Sequence, residues 1–141
     1  MIKALIIDDE SNARETLKML LTQHAKNVEI LGLAENADTG FKMIKSLKPD
    51  LVFLDVEMPK ATGFDLLERF DQVNFQVIFT TAYGHYAIKA IKFSALDYLL
   101  KPIDIDELQA AVSKVDNSLA TSRTTENHSI RALIENLNNT S

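Results

Sequence analysis

The stretch Leu51-Val-Phe-Leu-Asp-Val-Glu-Met-Pro-Lys-Ala-Thr-Gly63 constrains this chain more than any other. Four consecutive apolar residues run straight into an acid and then into a Pro/Gly-punctuated turn. An apolar run without polar alternation is what a strand buried on both faces requires. Pro59 and Gly63 bar its extension as regular structure. Asp55 therefore stands at the exit of a buried strand. Ligands of open parallel sheets bind outside the carboxyl ends of the strands, so Asp55 is a candidate reactive carboxylate by position alone.

The pattern recurs along the chain. Ala4 to Ile7 is a second short apolar run, and it ends in Asp8 and Asp9 with Glu10 following. From about Asn12 to His24, the residues Ala13, Leu17, Leu20 and Leu21 share a helical face, and Asn12 with Glu15 resembles a capping box. Val28 to Ala34 reads as a strand. Asn36 then caps a helix with the stripe Ala37, Phe41, Ile44 and Leu47, stopped by Lys48-Pro49. Gly63 leads into Phe64, Leu67 and Phe70 at helical spacing. Gln76 to Thr80 is β-rich and exits at Thr81, and Tyr83 to Lys92 reads as a short helix through Ala87, Ile88 and Ile91. Ala95 to Leu100 is the fifth strand, ending at Lys101-Pro102. The last helix starts at Asp104, with Glu107 as a second box-like partner and Leu108, Ala111, Val112, Val115 and Leu119 as its stripe. Five strands alternating with five helices across short loops imply a parallel sheet covered on both faces. The expected fold is the flavodoxin-like doubly wound (βα)5 arrangement, strand order 2-1-3-4-5.

Composition narrows the function class. A chain of 141 residues with 46% hydrophobic content can fill the core of one domain. A net charge of -5 argues against wrapping nucleic acid or an anionic membrane. No cysteine is present, which removes disulfides and thiolate metal sites, and the apolar start is too short for a signal peptide or a membrane span. The cytoplasm is the default location.

The fold brings Asp8 and Asp9, Asp55, Thr81 and Lys101 to one edge of the sheet from four separate strand ends. Three clustered carboxylates repel one another unless a cation joins them, and an all-oxygen set suits Mg²⁺. Phosphoryl transfer needs an in-line nucleophile and cations along the equatorial oxygens. Asp55 fits the nucleophile, while Mg²⁺ and Lys101 fit the charge partners and Thr81 offers a hydroxyl.

Across about Met1 to Leu119, these residues resemble the receiver domain of bacterial two-component response regulators. The resemblance rests on the order and spacing of Asp8-Asp9, Asp55-Val-Glu-Met-Pro59 with Gly63 beyond it, Thr81-Ala82, and Tyr98-Leu-Leu-Lys101-Pro102. It implies that Asp55 accepts a phosphoryl group from a sensor histidine kinase and that Asp8, Asp9 and Asp55 hold Mg²⁺ with the main-chain carbonyl of Glu57. It further implies that Lys101 contacts the phosphoryl group, that Thr81 and Tyr98 form a conformational switch pair, and that the Lys101–Pro102 bond is cis. A receiver is a phosphoacceptor signalling domain rather than an enzyme with turnover. Asp-Val-Glu-Met-Pro, Phe79-Thr-Thr-Ala-Tyr83 and Phe93 through Ile103 further resemble LytR/AlgR-type transcription regulators, whose DNA contact is made by a C-terminal LytTR domain. Ala61-Thr62 departs from the usual family pattern and bears on the loop, not the chemistry.

Two rival functions are weighed. A phosphohydrolase with Asp55 as a turnover nucleophile resembles haloacid-dehalogenase phosphatases only in Asp-x-Glu, and the chain has neither a cap nor that motif on its first strand. An inert receiver-like interaction module is disfavoured by the complete acid, Thr and Lys set. His24, His85 and His128 lack ligand spacing and are assigned no chemistry. Residues 120–141 read as a polar linker cut before a DNA-binding domain, with a short helix suggested around Ser129 to Asn138 by Ile130, Leu133, Ile134 and Leu137. The face built from the helix after Tyr83, the fifth strand and the helix from Asp104 is the expected homodimer surface.

Overall fold

Unbroken apolar runs become the central strands of a sheet with a helical layer on each side. The computed structural model describes residues 1–120, with side chains through Val115, and the helix suggested around Ser129 lies outside them. The elements are β1 (Ile2–Ile7), α1 (Ser11–His24), β2 (Val28–Ala34), α2 (Ala37–Leu47), β3 (Leu51–Asp55), α3 (Gly63–Glu68), β4 (Gln76–Thr81), a 3₁₀ turn (Gly84–Tyr86), α4 (Ala87–Lys92), β5 (Asp97–Leu100) and α5 (Ile105–Ala120). All pairings are parallel and the order is β2-β1-β3-β4-β5, as expected from the alternation. Every residue of β3 is buried, because β3 is central and covered on both faces. No helix among the described residues is long and apolar enough to cross a membrane.

Strand alternation sorts the core into two layers. Leu5, Ile7, Val52, Leu54, Val77 and Phe79 meet α2, α3 and α4, whereas Ala4, Ile6, Leu51, Phe53 and Ile78 meet Leu17 and Leu21 of α1 and Leu108, Ala111, Val112 and Val115 of α5. Each layer supplies apolar burial at roughly 25 cal/mol per Å².

The local signals held unevenly. Asn36 caps α2 by accepting the Thr39 N–H at 2.8 Å, and Asp104 accepts the Glu107 N–H at 3.0 Å. The expected Asn12/Glu15 box does not form: α1 begins at Ser11 after Glu10, whose side chain makes no cap. A capping box that was not expected closes α3, where Thr62 and Asp65 satisfy each other's backbone N–H. Leu47 and Ile88, expected in stripes, are exposed at 42% and 59%, and Leu66 and Ala90 are buried in their layer instead. In α4 the reason is phase. The 3₁₀ turn advances the chain by three residues per turn, so Ala87 and Ala90 face the core and Ile88 faces out. β5 begins at Asp97, two residues later than the apolar pattern suggested.

Candidate functional site

Asp55 is the last residue of β3, and Asp8 follows directly on β1, the neighbouring strand. Their parallel pairing, Ile7 against Leu54, delivers both acids to the same edge. Both are buried, at 4% exposure, and Asp9 is half-buried beside them. Asp8 is fixed on every side: Oδ1 accepts the Glu10 N–H at 3.0 Å, Oδ2 meets Lys101 Nζ at 2.8 Å, and its carbonyl accepts from Arg14 at 2.7 Å. Lys101 arrives from the end of β5, held by its own N–H on the Thr81 carbonyl at 2.7 Å. Its Nζ also lies 3.6 Å from Asp55 Oδ2 and 4.0 Å from Glu10 Oε1. The lysine therefore bridges the acids of two strands. The Lys101–Pro102 bond is cis.

The charges are visibly unbalanced. Burial pushes the Asp55 carboxyl up to about 7, the Asp8 charge adds to it, Lys101 opposes it, and the carboxyl of Asp9, bonded to Asp55, raises it further. Burial alone would lower Lys101, but its bond to Asp8 and the fields of Asp55, Asp8 and Glu10 raise it above the usual lysine range. Counting Asp8, Asp9 and Asp55 against Lys101 leaves a formal -2, which one divalent cation offsets. Carboxylate oxygens of Asp8, Asp9 and Glu10 lie within 4.8 Å of one another. This all-oxygen, partly open donor set fits Mg²⁺. Glu57 follows β3, with Val56 N–H on the Thr80 carbonyl at 3.2 Å and Gly63 N–H on the Val56 carbonyl at 2.9 Å. Gly63 is required there, since a Cβ would stand 2.5 Å from the Asp55 carbonyl oxygen.

Thr81 and Tyr98 sit on the α4 side of this edge. Thr81 is fully buried, and its Oγ1 accepts the Tyr83 N–H at 3.2 Å. Tyr98 is 5% exposed, with its hydroxyl donating to the Tyr83 carbonyl, and burial pushes the phenol up to about 12. The ring is thus inside, packed at the α4 side of the sheet. His24 closes α1, where its carbonyl accepts from Gln109, and His85 lies exposed in the 3₁₀ turn; neither is at the site.

Sequence reasoning passed over two residues here. Glu10 adds a carboxylate to the acid group, a signal present in the Asp-Asp-Glu run. Thr80 pairs with Asp55 across the β3–β4 ladder and is buried; it lines a cavity of about 240 Å³ with Asp8, Asn12, Lys101 and Pro102. Strand alternation, which sets Thr80 in line with Ile78, was the signal that could have found it.

Residues 4–113 match the response regulator receiver domain family. An uncharacterized response regulatory protein of Vibrio cholerae is 46% identical over 116 residues, covering 82% of this chain and 48% of that protein. The transcriptional regulatory protein BtsR of Escherichia coli is 41% identical with the same coverage, 82% and 48%. The chain spans about half the length of the curated relatives it matches. Among solved structures, the response regulator TrrA of Thermotoga maritima in complex with Mg²⁺ and BeF superposes with a TM-score of 0.72 at 35% identity, covering 82% of this chain and 99% of that one. The receiver domain of AraT from Geobacillus stearothermophilus gives a TM-score of 0.76 at 31% identity, covering 84% and 95%. On the extent of the family match and these identities, the chain belongs to the response regulator receiver domain family.

Proposed function

We propose that this receiver accepts a phosphoryl group from a sensor histidine kinase onto Asp55 and converts it into a change of the α4–β5–α5 face. The observation that carries the reading is Lys101 Nζ held between Asp8 and Asp55, at 2.8 and 3.6 Å, at the carboxyl edge of the sheet. Asp55 Oδ attacks phosphorus in line, its bond to the kinase imidazole nitrogen breaks, and the imidazole leaves with the electron pair and takes up a proton. Lys101 neutralises charge on the transferring oxygens, and the Thr81 hydroxyl turns from its loop toward them as a donor. Mg²⁺ would be held by Asp8, Asp9, Asp55 and the main-chain carbonyl of Glu57. The chemistry it supplies is charge neutralisation and alignment of the phosphoryl oxygens.

Tyr98 is the proposed reader. With the ring inside and its hydroxyl on the Tyr83 carbonyl, the α4 segment is held in one of two arrangements, and the bond from Thr81 to the phosphoryl group favours that one. The change serves phosphorelay signalling, without turnover of a substrate. The motifs Asp55-Val-Glu-Met-Pro59 and Phe93 through Ile103 support assignment to the LytR/AlgR type, with a cytoplasmic setting, transcription as the output and DNA contact left to a LytTR domain. Residues 1–119 form the receiver and 120–141 the linker toward that output. Ile88, Tyr83, Leu100 and Ile105, exposed together with Lys89 and Lys92, support a homodimer through this face.

Acyl-phosphate labelling with Mg²⁺ tests the reading. One phosphoryl group per chain is expected for the wild type and none for Asp55→Asn. Continuous release of phosphate would favour a phosphohydrolase, and an unlabelled wild type an inert module. Undiminished labelling in chelator would remove the metal role.

A further inference from the structure

The four-residue segment Tyr83 to Tyr86 carries the acceptor of the Tyr98 hydroxyl, and apart from the Tyr83 N–H on Thr81 Oγ1 at 3.2 Å little of its own fixes it. Tyr83, Gly84 and His85 are exposed, a Cβ at Gly84 would meet nothing within 4 Å, and neither the 3₁₀ turn nor α4 has a side-chain cap. Two phenol hydroxyls tie it down from opposite sides. Tyr98 donates from β5 to the Tyr83 carbonyl, and Tyr86 donates outward to Glu57 Oε1. The Tyr86 ring is held half-buried for that bond, 4.2 Å from His85 and 6.0 Å from Phe64 between ring centroids.

The far end of the Tyr86 bond is an exposed carboxylate carried on a fixed stretch of main chain. Glu57 lies between Val56 and Met58, both buried, and Val56 is bonded through its N–H to Thr80 and through its carbonyl to Gly63. Glu57 is two residues from Asp55, so the loop that carries the acceptor also carries the anchor. When one partner of a hydrogen bond is fixed and the other is weakly held, the bond orders the weakly held one.

We propose that Tyr86 is a positioning residue: by bonding Glu57 it pins the 83–86 segment to the acceptor loop and keeps the Tyr83 carbonyl where the inward Tyr98 hydroxyl reaches it. The inference rests on the receiver reading and adds to it. Part of the switched arrangement is assembled before a phosphoryl group arrives, through a link that does not pass through Thr81. A ligand that binds the Tyr98-inward arrangement then avoids the cost of selecting a minor state; without the link its apparent affinity falls in proportion to the fraction still competent.

The chain has three tyrosines, so ring-labelled tyrosine NMR reads Tyr98 directly, and a titration with Mg²⁺ and beryllofluoride reads the affinity. Tyr86→Phe keeps the ring and deletes the donor. It is expected to shift the Tyr98 signals of the unliganded chain and to weaken beryllofluoride binding about fivefold, the result of a fivefold drop in competent population. Glu57→Ala, which leaves the main chain intact, should do the same. Glu57→Gln, whose amide oxygen still accepts, should weaken binding less and shift the Tyr98 signals less than Glu57→Ala. The double variant Tyr86→Phe/Glu57→Ala should be no weaker than either single one, since a shared bond is lost only once. Unchanged Tyr98 signals and affinity in Tyr86→Phe, or effects of Tyr86→Phe and Glu57→Ala that multiply, would overturn the link while leaving Asp55 as acceptor. A wild-type chain that binds no beryllofluoride would overturn the receiver reading, and the link with it.

Discussion

The acceptor loop and the segment after β4 stand side by side at one end of the sheet, and they are held in opposite ways. Asp55 ends a strand whose five residues are all buried, and its neighbours Asp8 and Lys101 are pinned by backbone and charge. Helix α4 is six residues long, without a side-chain N-cap, and shows Ile88 to solvent. Phosphoryl chemistry needs charges fixed to a fraction of an ångström, which takes a packed core beneath them. A readout needs an element that moves for a few kcal/mol, which takes a short helix with few buried contacts. On the proposed reading, the two demands are separated by chain segment rather than by distance.

Removing the packing under the acceptor is the largest way to break that contrast. Phe53 is fully buried two residues before Asp55. Phe53→Ala should cost about 3–5 kcal/mol in urea unfolding through lost burial and a residual cavity. A cost below about 1 kcal/mol would mean that the acceptor side is as loose as α4.

The charge imbalance ranks next. Asp55, pushed up to about 7, keeps its proton in the folded chain at pH values where an unfolded aspartate, with its ordinary value of 3.8, has lost it. Folding then takes up a proton, so stability falls as pH rises from about 4 through about 7. Asp55→Asn removes the group. In chelator at pH 8 it should be more stable than wild type by on the order of 2–4 kcal/mol, with the difference vanishing near pH 4. Adding Mg²⁺ should raise the wild type and leave the variant nearly unmoved. A wild type equal to Asp55→Asn at pH 8 would show that the acids are balanced without a cation.

Gly63→Ala probes the loop by crowding. The new Cβ meets the Asp55 carbonyl oxygen at 2.5 Å and Leu54 Cγ at 2.9 Å, and neither atom belongs to a flexible side-chain end. A cost of about 1–3 kcal/mol and slower labelling of Asp55 are expected. Unchanged labelling would mean that the acceptor tolerates displacement.

The same contrast explains what could be read from sequence. Strand order and the convergence of Asp8, Asp9, Asp55, Thr81 and Lys101 were legible because buried runs ending in polar residues leave few topologies. The details of α4 were not. Six residues hold fewer than two turns, so the stripe Ala87, Ile88, Ile91 could not be told from Ala87, Ala90 until the 3₁₀ turn set the phase. Thr62 read as a departure from family pattern, and its use as the cap of α3 needed Asp65 to be recognised as its partner. The bonds from Tyr98 to Tyr83 and from Tyr86 to Glu57 join residues 15 and 29 apart. Neither distance has a periodicity to betray it.

The smallest effect on stability is expected at Ile88, and it tests the moving side of the comparison. At 59% exposure on α4, its side chain touches too little for Ile88→Asp to change folding by more than about 0.5 kcal/mol. The first turn of α4 carries no acid, and a carboxylate near a helix N-terminus is favourable, so the fold has no reason to object. If α4, β5 and α5 form the dimer face, however, the same change places an unpaired charge among Tyr83, Leu100 and Ile105 of two copies. Sedimentation with Mg²⁺ and beryllofluoride should show dimerisation of the wild type and at least a tenfold weaker association of Ile88→Asp. Dimers of equal strength in both would move the interface elsewhere on the surface. Loss of folding in Ile88→Asp would show instead that α4 is held as firmly as the acceptor strand, and that the two regions do not differ as the burial of their side chains says.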